Sequence, residues 1–570
     1  MLPHQGHGIG GRRQLSAVER DPDGTLRLRG APLGEHATTL LALLDDAARR
    51  APERAFLIER DGRGVWHQAS YATVANRSHR VGAGLRALGA SPQRPLMILS
   101  GNGIDHALVS FGALRAGIPV VPLAPSAGLA VRDGFARLRA VAESVRPGVV
   151  FARDGAAYAA AARAVAPDAA YVTVTEPQPG VRAFDYEHLL VHVPAVESEV
   201  AVSAQTVAKI MLAPGAAGEL KPVATTHGML CAMLQGIAQA WPFLDRHPPV
   251  VVDWLPWSRA LGGNMVLGIV LRHAGTLYVD DGDPTPERFE RTARLRAEIP
   301  PTLAFDVPLG WAAWVERLRG DDALRRRWLS RLDMACWYGA TLAPSTADAL
   351  GAVRIPLAAG WGATETAAAV TLTEGVHAKY DAIGAPLAGV ELKLVPSGDA
   401  YEARVRGPQV TNGYWWRPEL TASAFDEEGF FRSGDVVRPI DARAPQRGLA
   451  FAARTDERFK LSSGAWVRAP ALRARFLSEC SDAAGVLISG EGRGEIGLLV
   501  WPTAEGALLE RDVLRAQVAD AMRRAAVGKG SSERARRSLI LAREPAPHER
   551  AALVTRLHAS EPDAEVIVVS

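Results

Sequence analysis

Trp361-Gly362-Ala363-Thr364-Glu365 is the stretch on which the reading of this chain turns. The mostly apolar residues 353–357 lie just before it, so the pentapeptide reads as a turn following a buried strand. A glycine in such a turn lets a nucleotide approach the backbone closely. Thr364 offers a hydroxyl to a phosphate, and Glu365 supplies a carboxylate suited to a hard cation such as Mg2+. By itself the pentapeptide is weak evidence, and its weight comes from what lies on either side.

On the N-terminal side the pattern is helix–strand alternation. Residues 38–50 have helical periodicity, 95–99 form a short apolar run, and 105–116 read as the following helix. Further short apolar runs recur at 120–122, 148–151, 170–174, 250–253, 275–279 and 301–305. This alternation predicts an α/β fold of largely parallel sheets covered by helices. Around residue 383 the texture changes to alternating strands, 390–395 and 401–406, separated by Ser397-Gly398-Asp399. Beyond a boundary between 435 and 456, helix 470–480, strands 485–489 and 496–500 and helix 510–526 predict a small α+β domain. The expected division is a flexible lead-in over 1–35 and an N-terminal domain over 36–454, with a small β subdomain at about 383–435. A mobile C-terminal domain over 455–570 completes it.

The bulk numbers suit a soluble globular protein: 570 residues, 48% hydrophobic, 22% charged, net charge +3. Such a charge gives no reason to expect nucleic acid or an acidic membrane surface as partner. Cys231, Cys336 and Cys480 stand far apart without a CxxC pair, so neither a disulfide framework nor a zinc site is expected, and a reducing cytoplasm fits. Residues 1–14 lack the apolar core of a signal peptide, and no run of 18 apolar residues suggests a membrane span. Only six lysines stand against fifty-nine arginines, so each lysine can be weighed singly.

Several motifs have a plain reading. Gly101-Asn102-Gly103 lacks the third glycine of a dinucleotide fingerprint, having His106 there, and reads as a strand–turn–helix. Asp280, Asp281 and Asp283 read as a strand-ending turn rather than a cation site, and 528–532 as a flexible turn. Ser433-Gly434-Asp435 is more informative: it places a carboxylate after a strand, where it can accept both hydroxyls of a ribose. Arg454, Lys460 and Gly464 follow.

Taken in order, Gly339-Ala340-Thr341, Trp361 to Glu365, Ser433-Gly434-Asp435, Arg454, Lys460 and Gly464 resemble the adenylate-forming superfamily of acyl-CoA synthetases, adenylation domains and luciferases. The segments 251–257, 275–282, 405–411 and 459–467 look more narrowly like feruloyl-CoA synthases. The resemblance spans residues 35–560. It implies a two-step reaction: a carboxylate attacks the α-phosphorus of ATP to give an acyl-adenylate and pyrophosphate, and the CoA thiol then displaces AMP. By position, Gly339, Ala340 and Trp361 would line the adenine, with Thr341, Gly362 and the loop glycines Gly215 and Gly218 also binding the nucleotide. Thr364 would touch phosphate, Glu365 would hold Mg2+, Asp435 would hold the ribose, and Arg454 would contact ribose or phosphate. Asp456 would be the hinge, and Lys460 and Gly464 would face CoA.

The chain also departs from the pattern. The family's phosphate loop, Thr-Ser-Gly-Ser-Thr-Gly-x-Pro-Lys, is matched here by residues 213–221. Gly215, Gly218 and Lys221 survive, but Ala213, Pro214, Ala216 and Ala217 replace the hydroxyls, and Glu219 adds a negative charge. Hydrogen bonds to charged groups contribute about 1.5–3 kcal/mol each, so losing two or three costs on the order of 10³-fold or more. Arg259 stands where the family has a histidine. It reads either as a bidentate partner for an oxyanion or as a surface arginine. The segment carrying the family's C-terminal catalytic lysine is shortened near 545–549, and no lysine here takes its place. Two expectations follow. One is an ATP- and CoA-dependent ligase for an aromatic, hydroxycinnamate-like acid. The other is a catalytically impaired or dead relative that binds nucleotide or acyl-CoA as a sensor or partner protein. Trp254, Trp257 and Tyr338 suit an aromatic pocket and equally suit a core.

Overall fold

Apolar runs of four or five residues can be strands only if both of their faces are covered. In the computed structural model this condition is met. It describes residues 15–129, 134–176, 183–191, 200–214, 219–339, 341–373, 380–455, 458–463, 466–527, 529, 533–559 and 564–569. The chain divides into two compact units. One holds the described residues up to Lys393 with 404–432 and 439–450; the other holds 394–403, 433–438 and the described residues from Phe451 onward. The division is therefore made by several chain crossings rather than by the single cut expected at 454/455.

The first unit carries two sheets. In one, Leu357–Trp361, Met334–Trp337, Leu303–Asp306, Val250–Asp253, Thr276–Val279 and Ala55–Arg60 lie side by side and parallel, with Trp66–Ser70 antiparallel at the edge. On the far side of Leu357–Trp361, Thr371–Leu372 and Ala382–Pro386 continue it antiparallel. The other sheet runs Leu220–Thr226, Val207–Pro214, Val120–Pro122, Leu96–Ile98, Val149–Ala152, Ala170–Thr173, Phe184–Asp185. Helices Tyr71–Ala87 and Ile104–Arg115 pack closely, because a Cβ on Gly112 would lie 2.4 Å from the Val81 side chain. Their starts obey local rules: Ser70 accepts from the Thr73 amide, and Thr39 caps helix Leu40–Arg50 in the same way.

One expectation fails here. Residues 15–30 are not a flexible lead-in but an antiparallel hairpin, Leu15–Arg20 with Leu26–Gly30. The alternation Leu26-Arg27-Leu28 puts both leucines on one face, where they are fully buried, and the Gly30 amide donates to Val390 O at 2.8 Å. The aspartates at 280–283 form the turn expected of them, with Asp280 accepting from the Gly282 amide at 2.9 Å. Among the described residues no cluster of His, Cys, Asp or Glu is arranged to hold a metal, and no helix is long and apolar enough to cross a membrane.

In the second unit, strands Ala483–Ser489, Ile496–Pro502, Ala535–Ile540 and Val566–Val568 form one sheet. Helices Ala469–Glu479 and Arg511–Ala526 cover it through Leu472, Phe476, Val518 and Met522. Helix Pro547–Leu557 packs through Leu557 onto Leu499 and Leu539. A separate hairpin pairs Arg458–Lys460 with Trp466–Arg468.

Candidate active site

Strand Leu357–Trp361 is buried along its whole length and delivers Gly362 at the end of the parallel sheet, where α/β folds bind ligands. Only glycine fits at 362, since a Cβ there would lie 2.0 Å from Ala368 O. The chain then makes a single 3-10 turn, Thr364–Thr366, whose Thr366 hydroxyl accepts from the Ala363 amide at 2.9 Å. That turn places Glu365 inside the protein, 8% exposed. The phenol of Tyr414 donates to Glu365 Oε1 at 2.9 Å, and the Thr411 amide donates to Glu365 O at 2.7 Å. Burial, and then the neighbouring carboxylate, push the Tyr414 phenol far above its ordinary pKa, so it stays a donor.

Tyr414 also meets the strands that flank the expected phosphate loop. It bridges to Val223, and Trp415 N donates to Pro222 O at 2.7 Å. Lys221 Nζ then lies over the Tyr414 ring, 5.5 Å from its centroid. Thus Lys221 and Glu365, distant in sequence, share one aromatic ring. Strands Val207–Pro214 and Leu220–Thr226 pair Ala213 with Lys221 and Pro214 with Leu220; Gly215 and Gly218 lie outside the described residues. Glu219, the negative charge added to the loop, lies 3.9 Å from Arg417 with both side chains about half exposed. Oxygen donors fit a hard cation. With Tyr414 engaging Oε1, the second oxygen of Glu365 is the group that would hold Mg2+ beside nucleotide phosphates.

Of the residues expected near the adenine, Gly339 has φ +92°, which only glycine adopts without strain, and Thr341 is exposed; Ala340 lies outside the described residues. Trp361 is buried and pairs with Thr371. Tyr338 and Trp257 are both buried, and Trp257 packs edge-on against His106 at 5.1 Å. Arg259 is exposed at the end of a loop that Asn102 holds in place. The Asn102 carboxamide donates to Leu255 O and accepts from the Trp257 amide, each at 2.9 Å. The Gly101-Asn102-Gly103 turn thus acquires a role its glycine pattern did not announce.

In the second unit, Asp435 and Arg454 come together as the sequence order suggested. Arg454 Nη1 donates to Asp435 Oδ1 at 2.9 Å. Asp435 is 6% exposed, its amide donates to the Ser433 hydroxyl at 3.1 Å, and that hydroxyl donates to Ala403 O at 2.6 Å. Gly434 between them has φ +71°. The Lys460 backbone sits in the hairpin opposite Trp466, while Asp456 and Gly464 lie outside the described residues. Strand Ala535–Ile540 reaches helix Pro547–Leu557 through a short link in which Glu549 accepts from the Ala546 amide at 2.7 Å and pairs with Arg543. No lysine stands in that link, and Lys529 lies before the strand.

The residues whose contacts sequence reading missed are Tyr414 and Asn102. Only Tyr414 carried a local signal, its neighbours Gly413 and Trp415 marking a tight aromatic turn after a strand.

A family model described as AMP-binding enzyme matches residues 44–415. Feruloyl-CoA synthase of Amycolatopsis sp is 28% identical over 379 residues, covering 65% of this chain and 70% of that protein. Among solved structures, ATP-bound MatB from Rhodopseudomonas palustris superposes with a TM-score of 0.72 at 20% identity, over 89% of this chain and 95% of its own. The anthranilate CoA ligase AuaEII in complex with anthranoyl-AMP gives 0.71 at 16% identity, over 90% and 95%.

Proposed function

The chain belongs to the AMP-binding enzyme family, and on that premise we propose that it activates an aromatic, hydroxycinnamate-like acid through its acyl-adenylate and passes the acyl group to CoA. The observation that carries this reading is the meeting of Lys221, Tyr414 and Glu365 at one ring, beside the turn that presents Thr364. A cation, a hydroxyl and a carboxylate are the groups needed to hold a nucleotide triphosphate with Mg2+. In the second unit, the paired Asp435 and Arg454 offer a carboxylate and a guanidinium, groups suited to a ribose and a phosphate. The resemblance to feruloyl-CoA synthases names the acid class and CoA as acceptor. Arg259 would meet the carboxylate undergoing activation.

A second reading is favoured by a specific feature. The phosphate loop lacks its hydroxyls and the link before helix Pro547–Leu557 lacks a lysine, which together suit a chain that binds nucleotide or acyl-CoA without turning it over. Two measurements separate them. Calorimetry with AMP should give a Kd of roughly 10 μM to 1 mM, lost in Asp435→Ala. Pyrophosphate release with ferulate and MgATP should then be measurable above a no-acid control. AMP binding without acid-dependent pyrophosphate supports the binding protein; no AMP binding removes the ligase and the nucleotide-binding form of the second reading, leaving only an acyl-CoA binder.

A further inference from the structure

Directly after Glu365 and Thr366 come two alanines in unfavourable backbone conformations, Ala367 with φ +61° and Ala368 with φ +142°. Residues with side chains rarely adopt such angles, and two in succession persist only where the surroundings impose them. Each carbonyl of the pair is held by a different side chain. Asn264 Nδ2 donates to Ala367 O at 3.0 Å, and the Tyr338 phenol donates to Ala368 O at 2.5 Å.

A carboxamide can be turned either way, so something must fix Asn264. Lys209 does so: its Nζ donates to Asn264 Oδ1 at 3.1 Å and to Gly263 O at 2.5 Å. An ammonium only donates, so the amide oxygen must face it and the NH2 must face Ala367. The lysine is buried, and burial lowers its pKa to about 8. His106 and His227, the histidines whose charge Lys209 opposes, are kept neutral chiefly by burial, with pKa values of about 4. Among the described residues no carboxylate forms an ion pair with it. Gly263 and Asn264 belong to a π-helical turn, Leu261–Val266, pressed against the preceding loop. A Cβ on Gly263 would lie 2.1 Å from Trp257 O. Such turns recur at functional sites.

We propose that Lys209, Asn264 and Tyr338 are positioning residues, a clamp that holds the strained Ala367–Ala368 turn and thereby sets the loop bearing Thr364 and Glu365. The catalytic consequence rests on the reading of that loop given above; the clamp itself does not.

The test uses the full chain and two independent readouts. In hydrogen exchange, Lys209→Met and Asn264→Leu should speed exchange across 361–373 by roughly tenfold or more, while strands 483–502 keep their protection. Lys209 borders a small cavity lined by Phe111, Leu230, Trp257, Leu267 and Leu271. Lys209→Ala should enlarge it, and added propylammonium should restore slow exchange at 361–373. In pyrophosphate release, the same variants should lower kcat by about tenfold with the KM for the acid unmoved. Exchange unchanged at 361–373, or raised equally at 55–70 and 250–279, assigns Lys209 to core packing and overturns the clamp. A wild type without acid-dependent pyrophosphate release sinks the activity reading, and the exchange arm still decides the clamp.

Discussion

Tyr414 joins groups that the chain keeps far apart, donating to Glu365 and lying beneath Lys221. Tyr414→Phe keeps the ring for Lys221 and removes one hydrogen bond from the carboxylate. Acid-dependent pyrophosphate release should fall by about tenfold, while calorimetry with AMP should show affinity held, because Asp435 and Arg454 are untouched. Glu365, Asp435 and Arg454 could be named as candidates from the sequence because Glu365 and Asp435 sit in short motifs and Arg454 follows at a set offset. Tyr414 was not, since its contact depends on a β-bridge to Val223 rather than on spacing. Lys209 was hidden differently. It lies in an apolar strand, and the acceptors that hold it belong to a π-helical turn whose glycines read only as a break.

At the scale of elements, the parallel strands were readable because runs such as Val250–Asp253 have no polar face to expose, whereas the N-terminal hairpin was not. Its arginines mask an alternation of only two buried leucines. The phosphate-loop strands keep their pairing up to Pro214 and Leu220, so the frame for a repaired loop exists. Rebuilding Thr-Ser-Gly-Ser-Thr-Gly across 213–218 should raise pyrophosphate release by at least about tenfold, since restored donors act on charge developing at the leaving group. A second consequence arises at the ends of three adjacent parallel strands. Asp253, Asp280 and Asp306 are buried there around the single guanidinium of Arg296, which lies 3.6 Å from Asp306. Burial pushes Asp306 up to about 6 from 3.8, despite Arg296, and raises Asp253 and Asp280 as well. The folded chain therefore binds more protons than the unfolded chain between those values. Stability from Asp306 is full below 3.8 and lost as pH rises through about 6. Asp306→Asn should flatten that fall by about 1–3 kcal/mol, read as urea midpoints across the window.

For the whole molecule, the sequence indicated an α/β unit followed by a smaller α+β unit, and the family match and the superposed structures agree with that fold. What it did not indicate is that short pieces, 394–403 and 433–438, belong with the second unit, because membership there is decided by contacts and not by chain order. Asp435 thereby falls in the same unit as Arg454. The proposed reading gives the C-terminal region a part in both half-reactions, through a lysine segment in the first and the hairpin around Phe459 in the second. Here the link from Ile540 to Pro547 carries no lysine, whereas the described residues of the hairpin keep their pairing. On the proposed reading, the defect lies in adenylation and thioester formation stays competent. Supplying synthetic feruloyl-AMP with CoA bypasses the step that needs the lysine and the loop hydroxyls. The predicted result is thioester formed measurably faster than from ferulate, ATP and CoA, with Gly464→Trp removing the advantage. Feruloyl-AMP consumed no faster than in buffer would contradict it.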